Sequence, residues 1–269
     1  MLVDTHVHFA EYDSGEIPEL IARARKAGVD RYVAVGGDSE SNRVCLSLAR
    51  QWGKWMVCAV GFDRDQAPGD VDMAALHDML ADPACAAVGE TGLDYHYGRD
   101  RAAEQRRLLD TMLQAAQEAG LPVVVHSREA EADTLAALRP FAEEYRTRGR
   151  LPGVLHCFTG TRKFMEELVQ MGFFISFSGI VTFRSAQDLR LTAAAVPAEN
   201  LLLETDSPLL APEPLRGHRN EPAFLPRIAE AVAAARDSDV STVAEQTTAN
   251  ALRLFFGSAP ADSRSNRLQ

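Results

Sequence analysis

The sequence predicts an α/β chain folded as a (β/α)8 TIM barrel, and three observations carry that prediction. Eight short apolar, β-branched runs alternate with longer segments whose apolar residues recur at helical spacing. Polar residues able to bind a metal follow those runs, where the active site of such a barrel lies. The 269-residue length, with 46% hydrophobic and 25% charged residues, suits one large α/β unit with a sizeable core.

The strands are expected at 2–8, 31–36, 56–61, 86–90, 122–126, 153–156, 173–177 and 200–205. Each is a short apolar run bounded by turn-forming or polar residues. "IPELIARARKAG" and "AEQRRLLDTMLQAAQEAG" lie between strands with helical periodicity, and "ADTLAALRPFAEEYRTRG" and "TRKFMEELVQMG" repeat the pattern. Gly120 and Pro122 form a stop signal, a flexible C-cap followed by a residue that cannot continue a helix. Eight strands in about 250 residues favour a closed barrel over an open doubly wound sheet. Helices near 222–236 and 240–256 are expected to pack over the barrel. No linker, low-complexity block or repeat interrupts the body, so 1–257 is expected to be a single barrel domain. "SAPADSRSNRLQ" (258–269) reads as a polar, disordered tail.

No apolar run approaches the length of a membrane span, and the N-terminus has no signal-peptide pattern. Cys45, Cys58, Cys85 and Cys157 form no Cys-x-x-Cys pair, which suits free thiols in a reducing cytoplasm. The net charge of −10 argues against gripping long duplex nucleic acid through a broad basic face, while leaving room for a small phosphate pocket. No obligate protein partner is indicated.

"VDTHVHFA" at 3–10 places Asp4, His6 and His8 on one face of an ideal strand and Val3, Thr5, Val7 and Phe9 on the other. His6 and His8 are then about 6.6 Å apart along that face, close enough to lean onto one ion. Reading the strand ends in order adds Glu90, His126, His156 and Asp206. Each alone could be a satisfied polar residue; together they exceed what one open tetrahedral ion needs and point to two divalent ions, zinc, magnesium or manganese. Glu90 is the expected bridge, because none of Lys26, Lys54 and Lys163 follows an expected strand to serve as a carboxylated lysine. His6 and His8 would hold one ion with Glu90 and Asp206, and His126 and His156 the other with Glu90. Asp206 is also placed to accept the proton of the attacking water, giving it and Glu90 catalytic roles. Glu204 shares the face of Asp206 and is expected either to orient a ligand or to hold loop backbone. Alternation turns Cys157 away from the ions and into the core. Arg216, Arg219 and Asn220 in "PEPLRGHRNEP", and Arg128 just past His126, are candidate phosphate contacts. His77 is expected to be solvated on a helix, and His96 to line the pocket or cap a loop.

In chain order, "DTHVHF", "VGETGLDYH", "PVVVHSREA", "LHCFTG", "LLLETDSPLL" and "RGHRNEP" resemble the TatD family of metal-dependent hydrolases, within the amidohydrolase-like barrels. The resemblance runs from residue 2 to about 256. It implies a metallo-dependent barrel with one or two divalent ions, phosphodiester hydrolysis as a DNase of the 3′–5′ exonuclease type, and the same six ligand positions. It also matches the Arg216, Arg219 and Asn220 loop to a segment that meets substrate. His218 stands where lysine is common, Ala251 where threonine is usual, and His96 where tyrosine is frequent. The expected substrates are nucleic-acid ends or short oligonucleotides. The alternatives are a metal-dependent hydrolase of a small ester, lactone, amide or phosphoester, and a non-catalytic metal-stabilised binding protein.

Overall fold

The computed structural model describes residues 1–67 and 69–257. The proposed tail at 258–269 therefore lies outside the described residues. Eight strands form one sheet in sequence order with every neighbouring pair parallel: β1 (Leu2–Val7), β2 (Val29–Val35), β3 (Met56–Val60), β4 (Cys85–Asp94), β5 (Val123–Arg128), β6 (Gly153–Leu155), β7 (Phe174–Phe177) and β8 (Leu201–Leu203). A parallel bridge between Val7 and Ser207 brings the last strand back to the first. Backbone bonds from His8 N to Ser207 O (2.9 Å) and Asp206 N to His6 O (3.1 Å) fasten that seam.

Helices α1 (Ile17–Lys26), α2 (Ser39–Trp52), α3 (Met73–Leu80), α4 (Ala102–Ala119), α5 (Glu131–Thr147), α6 (Arg162–Gln170) and α7 (Gln187–Ala195) occupy the seven connections, and α8 (Leu225–Ala235) and α9 (Val240–Phe255) follow β8. Local chemistry explains several ends. Asp38 caps α2 by accepting from Glu40 N and Ser41 N, while Ser41 Oγ accepts from Asp38 N, so three end donors are satisfied reciprocally. Gly120 closes α4 in the left-handed conformation (φ +69°).

Two apolar layers result. The larger lies between the sheet and the helices; the smaller is built from alternate strand residues (Val3, Val33, Ala59, Val124, Val154 and Leu202 among them) and fills the lower lumen. Ala251, Leu254 and Phe255 of α9 close that lower end. No described helix is long and apolar enough to cross a membrane.

Strict alternation fails at two strands, and both failures shape the upper lumen. Thr5 Oγ1 lies 3.3 Å from Ser176 Oγ of β7, and the ring of His6 stacks on His156 at 3.9 Å. Neither β6 nor β7 adjoins β1, so both contacts cross the lumen, and two consecutive residues of β1 face inward. A register irregularity between Asp4 and Val7 permits this. The expectation that Asp4 shares the histidine face is therefore corrected: Asp4 is held at the β8 edge by Thr205 N (2.9 Å) and Thr205 Oγ1 (2.6 Å). Burial pushes its carboxyl up to about 8, against those hydrogen bonds. The expected strand 86–90 continues to Asp94, so Glu90 lies within β4 rather than at its end. A second irregularity, between Val88 and Thr91, falls at Glu90. Gly89 (φ +152°) makes the passage possible, since a Cβ there would lie 2.7 Å from the carbonyl oxygen of Val124.

Candidate metal centre

Glu90 stands at the middle of the upper lumen. Its Oε2 lies 3.4 Å from His6 Nε2 and 3.7 Å from His8 Nε2, and its Oε1 lies 3.2 Å from His156 Nε2 and 3.6 Å from His126 Nδ1. Asp206 Oδ1 is 3.3 Å from His8 Nε2 and 3.9 Å from His6 Nε2. The ligand-type atoms form three groupings, each within 4.8 Å: His6, His8 and Glu90; Glu90, His126 and His156; and His6, His156 and Asp206. Five of the six side chains come from the last residues of a strand or from just beyond it, and Glu90 comes from the middle of the long strand β4.

A divalent ion suits this donor set. His6 Nε2 and His8 Nε2 converge to 3.1 Å, near the roughly 3.4 Å separating two imidazole nitrogens on one tetrahedral ion. The buried His156 Nε2 has no hydrogen-bond partner among the described residues and faces Glu90. Nitrogen and carboxylate donors at this spacing accommodate zinc, manganese or magnesium.

The metal-free electrostatics are those of a crowded ion cluster. Burial opposes charge on Glu90, but His156 and His6 outweigh it and hold the carboxyl well below its usual range. Burial likewise opposes protonation of His156, and Glu90 and Glu204 overcome it, driving the ring well above its usual range. His8 is pushed up to about 9: burial works against the charged ring, and Asp206 and Glu90 prevail. His6 moves the other way, because burial and the neighbouring His156 both disfavour its charge.

The supporting residues are ordered by the ends of β4, β6 and β8. Glu204 Oε1 accepts from Cys157 N (2.7 Å) and pairs with His156 Nδ1 (3.3 Å), so it fills both roles left open by its sequence position. Holding Nδ1 leaves Nε2 of His156 free to face the lumen. Asp94, at the end of β4, does the same for His126 Nε2 at 3.3 Å. Asp206 adopts φ +57°, an uncommon conformation for a residue with a side chain, fixed by its backbone bond to His6.

Cys157 corrects a second expectation. Its φ of +43° breaks the strand pattern, so the thiol is half-buried beside Ser178 Oγ (3.1 Å) and Asp206 instead of entering the core. Burial and the two carboxylates Asp206 and Glu204 push that thiol well above its usual range.

The four candidate substrate residues lie outside this cluster, and none hydrogen-bonds to its six members. Asn220 is 1% exposed, and both its amide hydrogens are spent, on Thr205 O (2.8 Å) and Leu209 O (2.6 Å). It braces the turn carrying Asp206, which corrects its expected role as a substrate contact. Arg219 lies over Tyr12 (4.3 Å) and pairs with Glu16 (3.0 Å), tying the loop to the start of α1. Arg216 lies over Phe183 (4.4 Å). Arg128 lies over the exposed ring of Tyr97 (4.9 Å) and lines a cavity of about 730 Å³ with Thr159 and Arg162. His77 pairs with Glu118 (3.3 Å) on the surface, and His96 pairs with Glu129 (2.7 Å).

Asp63, Arg64 and Asp94 escape a sequence reading directed at metal ligands. Arg64 Nη1 donates to both Asp63 oxygens (2.7 Å each) and to Glu90 Oε1 (3.1 Å). All three follow or end a strand, in "AVGFDRD" and "TGLDYH", and that position is the signal that could have found them. A cavity of about 430 Å³ opens beside His8 and Glu90, lined by Glu11, Asp38, Glu40, Asp63 and Asp65, with no lysine or arginine among its described lining residues.

Known proteins share this arrangement of chain and fold. A metal-dependent hydrolase of Bacillus subtilis, YabD, is 33% identical over 258 residues, covering 95% of this chain and 99% of the relative. A protein of Edwardsiella piscicida named 3′-5′ ssDNA/RNA exonuclease TatD is 37% identical over 250 residues, covering 90% and 94% of the two chains. The crystal structure of YJJV, a TatD homologue of Escherichia coli K12, superposes with a TM-score of 0.87 at 28% identity and covers 95% of this chain and 98% of its own. Residues 3–256 match the family described as TatD related DNase, and the chain belongs to that family.

Proposed function

We propose that this protein is a metal-dependent phosphodiesterase that removes nucleotides from the 3′ ends of single-stranded DNA or RNA. The observation that carries the proposal is Glu90, whose two oxygens face different pairs of imidazoles while Asp206 stands against His6 and His8. The 3′-5′ ssDNA/RNA exonuclease name of the Edwardsiella relative supports the choice of substrate. So does the net charge of −10, since a chain end needs few contacts and a long duplex needs many. The four free thiols suit a reducing cytoplasm.

In this reading His6, His8, Glu90 and Asp206 hold one divalent ion, and Glu90, His126 and His156 hold a second. Divalent ions held there would supply Lewis acidity and lower the pKa of a hydrolytic water toward neutrality. The neighbouring cavity is lined by acidic residues that would repel a phosphate unless cations were held beside it by His8 and Glu90. Asp206, whose Oδ1 stands against His6 and His8 and which has the Cys157 thiol beside it, would accept the proton of the attacking water. Glu204 and Asp94 hold His156 and His126 in orientation. Arg128, packed on Tyr97, offers a guanidinium for phosphate beside an aromatic face for a base. Arg216 stacks on Phe183, an arrangement that leaves the in-plane N–H groups of its guanidinium for a phosphate, whereas Arg219 is engaged by Glu16.

The test is a metal-reconstituted screen with labelled single-stranded DNA, duplex DNA, RNA and neutral aryl esters. Shortening of single strands from the 3′ end, abolished by chelation and restored by a divalent ion, is the expected outcome. Turnover confined to the neutral esters would overturn the phosphodiesterase reading.

A further inference from the structure

The two metal positions are not equivalent in this chain, and the difference is Arg64. Its guanidinium is 20% exposed and meets three carboxylates: Asp63 at 2.7 Å, Glu90 at 3.1 Å and Asp94 at 3.6 Å. The contact with Glu90 is made to Oε1 alone. That is the oxygen facing His126 Nδ1 (3.6 Å) and His156 Nε2 (3.2 Å), the one an ion between those rings would use. Oε2, facing His6 and His8, has no arginine contact among the described residues. An imidazole can give up its proton to a metal, whereas a guanidinium stays charged at every physiological pH.

We propose that Arg64 supplies at Glu90 Oε1 the positive charge that a second ion would otherwise bring, so the protein retains one tightly held ion, at His6, His8, Glu90 and Asp206, and takes the second weakly. This rests on the metal-hydrolase reading. A divalent ion at Glu90, His126 and His156 must share Oε1 with the guanidinium and bear its repulsion at close range. Asp63 and Asp94 keep Arg64 in place: Asp63 grips Nη1 with both oxygens, and Asp94 stands against Nε. Asp94 also faces His126 Nε2 (3.3 Å), so one carboxylate restrains both the arginine and a ligand of the weak position. Removing the guanidinium leaves Asp63, Glu90 and Asp94 uncompensated around that position, which strengthens its hold on a cation.

The experiment measures zinc content and manganese affinity of the full-length wild-type protein, Arg64→Met and Arg64→Lys. Metal analysis after extended dialysis should find one equivalent in the wild type and two in Arg64→Met. Calorimetric titration with manganese should give a second equivalent at least tenfold weaker in the wild type than in Arg64→Met, with the first changed less than threefold. Two equivalents retained by both, or equal second affinities, would overturn the role of Arg64 and leave the metal reading standing. Absence of any ion above background in all three would overturn the metal reading itself. A measurement on the unaltered protein guards against misfolding of the Met variant. In a titration of the metal-free protein with zinc, the Arg64 Nε resonance, assigned from its loss in Arg64→Lys, should move further during the second equivalent than during the first. Movement with the first equivalent only would count against the proposal.

Discussion

The two ends of the barrel lumen are built by the same strands and have opposite chemistry. Val124, Val154 and Leu202 point inward at the lower end and pack against α9. Two residues further along the same strands stand His126, His156 and Glu204, and Asp206 is two beyond Glu204. One step of the strand repeat thus changes a dry, close-packed layer into a cluster of imidazoles and carboxylates. The lower layer can be wholly apolar because it serves only cohesion. The upper layer is held in place by side-chain bonds from Glu204, Asp94 and Asn220, without which its buried polar groups would be costly.

Four substitutions or conditions separate the two ends. Asp206→Asn strikes the upper layer hardest: metal-dependent cleavage should fall by about 10²–10⁴-fold, the range for loss of a positioned proton acceptor. Unfolding of the same variant should stay cooperative, and a wild-type rate in a single-turnover assay would remove Asp206 from the chemistry. Phe174→Ala attacks the other end. Phe174 is fully buried in the lower layer, and its truncation should destabilise the fold by about 3–5 kcal/mol. Denaturant titration reads that loss, while metal affinity of the folded fraction should be unchanged; a matching drop in affinity would show that the two ends are not separable.

Glu204→Gln tests the bracing of the upper layer. It keeps the shape and loses the charge opposite His156, so metal affinity should weaken by roughly 10–100-fold with the first-layer residues intact. An unaltered chelator-competition curve would make Glu204 a support of the Cys157 backbone alone. The last test is of pH. In the metal-free protein His8 is pushed up to about 9, so at neutral pH an incoming ion must displace its proton. Affinity should therefore rise with pH, by up to about tenfold per unit, and level off near that value. A curve already flat at neutral pH would mean that His8 is not a ligand.

The strands were legible because their interiors are apolar and β-branched. β2, β3, β6 and β7 start or end within two residues of where the pattern puts them. His126 and His156 were legible for a related reason, because their strands alternate regularly up to the ligand. β1 and β4 were harder. Their inward-facing His6 and Glu90 stand at register irregularities, which depend on the neighbouring strands and leave no mark in a period-two pattern. That is why Asp4 is wrongly grouped with the histidines. Cys157 fails for the same reason, through a positive φ that alternation does not anticipate. Asn220 looks like a substrate contact in its Arg-rich loop until its amide is found between two buried carbonyls.

By itself, the sequence determined the order of strands and helices, the barrel, and the set of residue types able to bind metal. Those follow from periodicity and from the placement of polar groups at strand ends, which are local properties of the chain. Only the tertiary structure decided which oxygen of Glu90 faces which imidazole, and that Arg64 stands against one of them. Such pairings join residues on different strands, and their distances exist only once the sheet has closed.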